Sequence, residues 1–215
     1  MPTVNRNLLL ILVFSTLSAC SSVYYSAMEK VGIHKRDILV DRVVDAKESQ
    51  QEAQKQFESA LAAMTALINF DGGELEEQYQ VIKAQYEKSK EAADEVSSYI
   101  AKIEDVSAAL FDEWQDEIEQ ISSNNLKRKS TSKLKETERR YQALIRAMHK
   151  AESKMSPVLV ALKDNTLFLK HNLNAKAIGA LQGEMVNIRQ DVELLIKEMN
   201  AAISQSQKFI DLLEE

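Results

Sequence analysis

The residue in this chain best suited to covalent chemistry is Cys20, the only cysteine among 215 residues. A lone thiol excludes an intramolecular disulfide, and no second soft ligand stands nearby to share a metal. The histidines, His34, His149 and His171, fall in separate segments, and none lies four residues from another or three after a glutamate. No metal site is therefore expected. A phosphate-cradling G-x-x-x-x-G-K-[ST] loop, a G-x-S-x-G elbow and an H-E-x-x-H pair are all missing from the sequence. We expect a non-enzymatic protein with no catalytic residue and no cofactor.

What precedes Cys20 defines the chemistry open to it. Arg6 and the free amino terminus lead into an apolar run from Leu8 to Leu17. About ten residues is half of the roughly 20 that a spanning helix needs. A positive start, a short apolar stretch and small residues before a cut describe a secretory signal peptide, here residues 1–19. Leu17, Ser18 and Ala19 ahead of Cys20 resemble the lipobox of bacterial lipoproteins. That resemblance implies that Cys20 is diacylated, becomes the new amino terminus and is acylated again. A myristoyl chain alone anchors weakly, at about 0.8 kcal/mol per buried methylene, whereas several chains together hold almost permanently. In lipoproteins of this kind an Asp directly after the cysteine often signals inner-membrane retention. Ser21 stands there, which points to the periplasmic face of the outer membrane.

The elements that carry this anchor read as long helices. With 5 Gly, 2 Pro and a heavy load of Ala, Leu, Glu, Gln and Lys, the composition is that of helical rods. Residues 20–35 show no clean period and are expected to be the lipidated start and a short tether, with Tyr24 and Tyr25 either at the headgroup level or packed on the body. Residues 36–215 form the helical body. Its first seam runs Leu39, Val43, Ala46, Gln50, Ala53, Phe57, Ala60, Met64 and Leu67, alternating four and three residues as a coiled coil does. Asn69 to Gly73 ends it. A second seam runs from Leu75 to Ile121 through Ser89, Ser107, Trp114 and Glu117, a third from Leu134 to Leu169, and a fourth from Ile178 to Leu213. Turns are expected at 70–74, 122–131 and 172–174, with Asn172 or Asn174 as a cap. The third seam keeps phase through Pro157, which predicts a kinked or briefly interrupted single rod. Short turns force antiparallel neighbours, so the fold class is all-α: an elongated antiparallel up-down helical bundle of coiled-coil type, roughly 55 to 70 Å long.

Charge sets the remaining expectations. Without Arg6 the 27 basic residues become 26 against 33 acidic ones, a net charge of −7, which argues against nucleic acid as the main partner. Residues 104–119 are acidic and residues 127–140 are mainly basic. In a hairpin turning near residue 125 these blocks lie side by side, where mutual neutralisation would fix the register at about 0 to 1 kcal/mol per exposed pair. The other reading makes Lys127, Arg128 and Lys129 a contact for an anionic surface such as phospholipid headgroups, lipopolysaccharide phosphates or an acidic protein. Gly179 and Gly183 have the G-x-x-x-G spacing, read here as small residues where helices cross closely rather than as a membrane contact.

Taken whole, and especially at His34 to Val40 and Phe168 to Ala175, the chain resembles an uncharacterised proteobacterial lipoprotein family, a domain of unknown function built on long coiled-coil helices. The resemblance supplies no activity and no catalytic residue. Members of such families are sometimes labelled DNA repair ATPases, which the missing phosphate loop, the acidic charge and the export signal contradict here. The expected function is that of an envelope lipoprotein whose helical rod serves as scaffold, spacer or adaptor for another envelope protein, with the membrane as partner through the N-terminal lipid. The alternative is a periplasmic module that shelters a lipid or apolar ligand between helices. Covalent attachment to peptidoglycan would want a C-terminal Lys, and the chain ends Leu213-Glu214-Glu215. Four a/d seams can close within one chain or between chains, so a homo-oligomer is compatible with the pattern.

Overall fold

The computed structural model describes residues 18–70 and 75–214. Among them are five helices and no strand: α1 (Ser18–Lys30), α2 (Lys35–Ile68), α3 (Leu75–Gln120), α4 (Asn124–His171) and α5 (Ala175–Glu214). The long helices form a closed ring in which α2 packs on α3 and α5, and α4 packs on the same two. Side-chain bonds fix the directions. Gln56 of α2 bonds Gln85 of α3 while Lys35 bonds Glu113, so one number falls as the other rises. Lys47 with Gln207, and Gln182 with the carbonyl of Ile68, show the same for α2 and α5. The expected all-α antiparallel bundle is the observed fold.

The seams close as the heptads predict. Every seam residue of α2 and α4 is buried, including Phe57, Met64, Leu144 and Met155. Burying such a side chain contributes about 1.5–3 kcal/mol each, which supplies the main driving force for closing the ring. The second seam departs from prediction at its end, where Glu117 is exposed and Ile118 is buried instead. The reason is geometric. Glu113 faces Lys35 at the start of α2, so the last seven residues of α3 run about 10 Å beyond α2; Trp114 and Glu117 still share a pocket with Arg36, Leu212 and Leu213, and beyond them α4 is the neighbour. Ile118 and Leu134 are accordingly buried apart from the main core.

The turns follow local chemistry. Ser123 caps α4 by accepting from the Leu126 N–H, which makes the expected 122–131 turn much shorter: Asn124 to Ser132 is already helix. Asn172 closes α4 through its N–H to the Leu169 carbonyl, and the Asn174 side chain opens α5 by accepting from the Lys176 N–H. Asp71, Gly72 and Gly73 of the first turn lie outside the described residues. α4 runs unbroken through Pro157, which lies on its exposed side beside Ser153, so the carbonyl that the missing N–H leaves free can be hydrated.

Among the described residues, Gln50 is the seam residue with two unpartnered polar atoms. Gln50 is 0 % exposed, and neither its amide oxygen nor its amide nitrogen has a protein partner. An unsatisfied buried polar group costs about 1–3 kcal/mol. Replacing Gln50 with the similarly shaped Met should raise folding stability by that order, read as an increase in the urea midpoint at constant m-value.

Candidate functional site

Cys20 lies in the first two turns of α1, with Ser18 and Ala19 before it; Leu17 and the rest of the expected signal peptide lie outside the described residues. The expectation of an irregular tether over residues 20–35 is corrected: residues through Lys30 are helical. α1 ends in a Schellman cap, with Ile33 N–H bonding the Met28 carbonyl, Gly32 N–H bonding the Glu29 carbonyl, and Gly32 at φ 85°, a left-handed conformation that glycine adopts without strain. The signal in the sequence was Gly32, two residues past Lys30.

α1 is clasped by side chains rather than by close backbone approach. Tyr25 is only 5 % exposed, and its hydroxyl donates to the Asp105 carboxylate of α3 at 2.5 Å. Burial first, and then the Asp105 carboxylate, push this phenol far above its usual range. Tyr24 meets it edge to face, with centroids 5.4 Å apart, and stays largely exposed. Below them Lys35 donates to both Glu29 of α1 and Glu113 of α3, the latter at 2.9 Å. Burial lowers the lysine pKa, but the Glu113 and Glu29 bonds outweigh it and raise it, while the Lys35 bond pulls Glu29 below its usual range. α1 therefore runs alongside α3, in the same direction, on the α2/α3 side of the bundle.

The acidic and basic blocks do not neutralise each other directly. Among the described residues no ion pair joins residues 104–119 to residues 127–140. The acidic block is engaged elsewhere, Asp105 with Tyr25, Glu113 with Lys35 and Glu104 with His149. Lys127 donates to the backbone carbonyl of Glu119 at 3.3 Å, and Arg128 and Lys129 point to solvent in the first turns of α4. Between them and the turn, Leu126 is 56 % exposed. The projecting hairpin is stapled by the Trp114 indole N–H, which donates to the Ser130 hydroxyl at 2.9 Å. The α4 N-terminus adds positive potential beside the three cations, while the α3 C-terminus with Asp116, Glu117 and Glu119 forms the acidic side of the same overhang.

A second surface feature lies towards the other end, on the outer side of α4 and α5. A groove of about 640 Å³ has Pro157, Val160, Phe168 and Ala180 in its lining, and Asp164, Glu184 and Asp191 line it as well. Gly179 and Gly183 stand beside it. A Cβ added at either would meet nothing within 4 Å, so their expected role as a close helix crossing is corrected.

The histidines stay apart in space. His34 precedes α2, with its N–H donating to the Asp37 carboxylate, and His171 ends α4. Among the described residues no group of three or more His, Cys, Asp or Glu could hold a metal ion, and no helix is long and apolar enough to cross a membrane. His149 bridges α4 to α3, with its ring nitrogens 2.9 Å from Glu104 and 2.9 Å from Glu152.

A family model for a protein of unknown function, DUF2959, matches residues 24–213. The chain belongs to this family. No curated protein and no solved structure matches it. The DUF2959 region takes in the Tyr25 clasp, the basic tip and the groove, and its first residue lies four positions after Cys20.

Two outcomes follow from these contacts. The bonds to Glu104 and then Glu152 raise the His149 pKa above its ordinary value near 6.5. The stabilisation is therefore complete below the unfolded pKa and is lost as pH rises through the folded pKa. The stability gap between the native chain and His149→Gln should be larger at pH 5.5 than at pH 8.5 in urea titrations, though modest because the side chain is about half exposed. Lys35→Ala should leave Glu29 and Glu113 facing each other and free α1, with at least about tenfold faster amide exchange in residues 24–30 while the four-helix core shifts by less than about 0.5 kcal/mol.

Proposed function

We propose that this protein is a non-enzymatic bacterial envelope lipoprotein, a rigid helical scaffold or adaptor held on a membrane through acyl chains at Cys20. The observation that carries the reading is the Leu17-Ser18-Ala19-Cys20 run at the head of a helix that is clasped onto the bundle. An anchor on a loose tether would let the rod swing, whereas one seated by Tyr25 and Lys35 fixes its attitude. Cys20 lies five residues before Tyr25, and Tyr25 is level with Asp105, fifteen residues from the end of α3. By helical rise the attachment point is about 30 Å from the hairpin tip of a rod about 70 Å long. Such a rod lies along the membrane rather than standing on it. Its α2/α3 side is turned to the lipid, and its α4/α5 side faces away.

The orientation gives the adaptor reading content. Of the eleven large apolar side chains left exposed, six (Leu126, Val160, Leu167, Phe168, Val186 and Leu194) are on α4 and α5, against four (Tyr24, Val31, Ile33 and Val81) on or beside α1 and α3. The larger share on α4 and α5 favours that side as the protein-binding face. The outer membrane is the proposed location, on the strength of Ser21 after Cys20.

Cell fractionation tests this reading. The native chain should sediment with membranes and carry labelled palmitate, and Cys20→Ala should lose the label and move to the soluble fraction with its helicity unchanged. Membrane association that persists without label would remove lipid anchoring from the account. In-cell crosslinking of the same two forms should capture an envelope protein on α4 and α5 with the native chain only.

A further inference from the structure

We propose that the basic hairpin tip of one copy of this chain docks in the acidic-rimmed groove between α4 and α5 of a second copy, joining the rods in a head-to-flank series. The inference stands on two surfaces of opposite character within one chain, and it does not require that Cys20 be acylated. The tip projects about 10 Å past the start of α2, which leaves it clear of the rest of the bundle. At its apex Leu126 is 56 % exposed, followed at once by Lys127, Arg128 and Lys129. None of these three cations has a carboxylate partner among the described residues.

The groove has the reverse arrangement. Val160 and Phe168 offer an apolar lining, 55 % and 39 % exposed, and Asp164, Glu184 and Asp191 supply three carboxylates with no cation in the lining and no ion pair of their own among the described residues. The exposed, open flank of α5 at Gly179 and Gly183 leaves room for an incoming helix end. An anionic lipid surface would match the cations of the tip but would leave the carboxylate-rimmed groove without a counterpart. A second copy matches both at once, with Leu126 against the apolar lining and its three cations against the three acids. Tip and groove are different surfaces, so the contact is heterologous and each copy keeps one free tip and one free groove.

The test uses two differently tagged full-length copies co-expressed in one cell, one carrying Leu126→Cys and the other Val160→Cys, with intact cells treated with a short membrane-permeant bismaleimide. Each variant paired with the native chain sets the background from Cys20, and Lys88→Cys on the exposed side of α3 replaces Val160→Cys as a position control. The proposal expects a mixed dimer at about tenfold or more above both controls, the effect of a few charge pairs. Reversing Lys127, Arg128 and Lys129 to Glu should return the yield to background, and changing Asp164, Glu184 and Asp191 to Lys in the receiving copy should restore it. Background yield with the native charges overturns the proposal, as does a yield that ignores the reversals. If the mixed dimer stays at background while the triple Glu change abolishes binding to phosphatidylglycerol vesicles, the tip belongs to a lipid surface and the self-contact falls.

Discussion

Closure of four apolar seams into one ring is the constraint on which the rest of the molecule depends. Each long helix carries its stripe every three and four residues, so each must bury that stripe against two neighbours to gain the free energy of folding. With no disulfide and no second cysteine available, helix packing is the stabilising device the sequence provides. Ring closure also explains where polar residues are tolerated. Ser206, Thr137 and Thr166 are buried but return their hydroxyl protons to carbonyls one turn earlier, whereas both polar atoms of the Gln50 amide are left unsatisfied. A polar seam residue retained at such a cost fits a role in fixing register, as buried amides do in coiled coils.

Unequal helix lengths then create the surfaces of interest. α4 is the longest helix at 48 residues, and α2, at 34, stops short of it at both ends. The α3/α4 hairpin therefore continues alone at one end, where the Trp114 to Ser130 bond and the burial of Ile118 and Leu134 hold it together. This overhang turns a run of cations that would otherwise face a crowded bundle into a projecting tip. The same logic frees Asp164 and Glu184 on the outer flank, because packing on α2 and α3 uses the opposite sides of α4 and α5.

The first helix, α1, depends on the bundle in a different way. α1 buries little backbone and lacks a strong stripe, so it could not persist as an isolated thirteen-residue helix in water. Tyr25 and Lys35 compensate by each reaching a carboxylate of α3, and the Schellman turn at Gly32 aims the helix back along the rod. In the proposed lipoprotein this converts a lipid attachment into a defined attitude of the whole rod.

The sequence by itself determined the fold class, the antiparallel order, the seam residues and their register through Pro157, because burial along a helix is periodic and periodicity is written in residue order. It also singled out Cys20 and the cations at 127–129, since a lone thiol and a run of like charge are visible without neighbours. Membership of a family of unknown function was foreshadowed by the resemblance at His34 to Val40 and Phe168 to Ala175, and the DUF2959 match spans both. Tertiary structure decided what depends on distance between segments far apart in the chain. The bond from Tyr25 to Asp105 spans eighty residues, and no local pattern announces it. Which block neutralises which was likewise undecided, because the acids at 104–113 had closer partners on α1, α2 and α4 than the cations across the hairpin. The slip from Glu117 to Ile118, the open space at Gly179 and Gly183, and the groove between α4 and α5 all follow from where each helix stops, and helix ends are set by packing rather than by heptad phase.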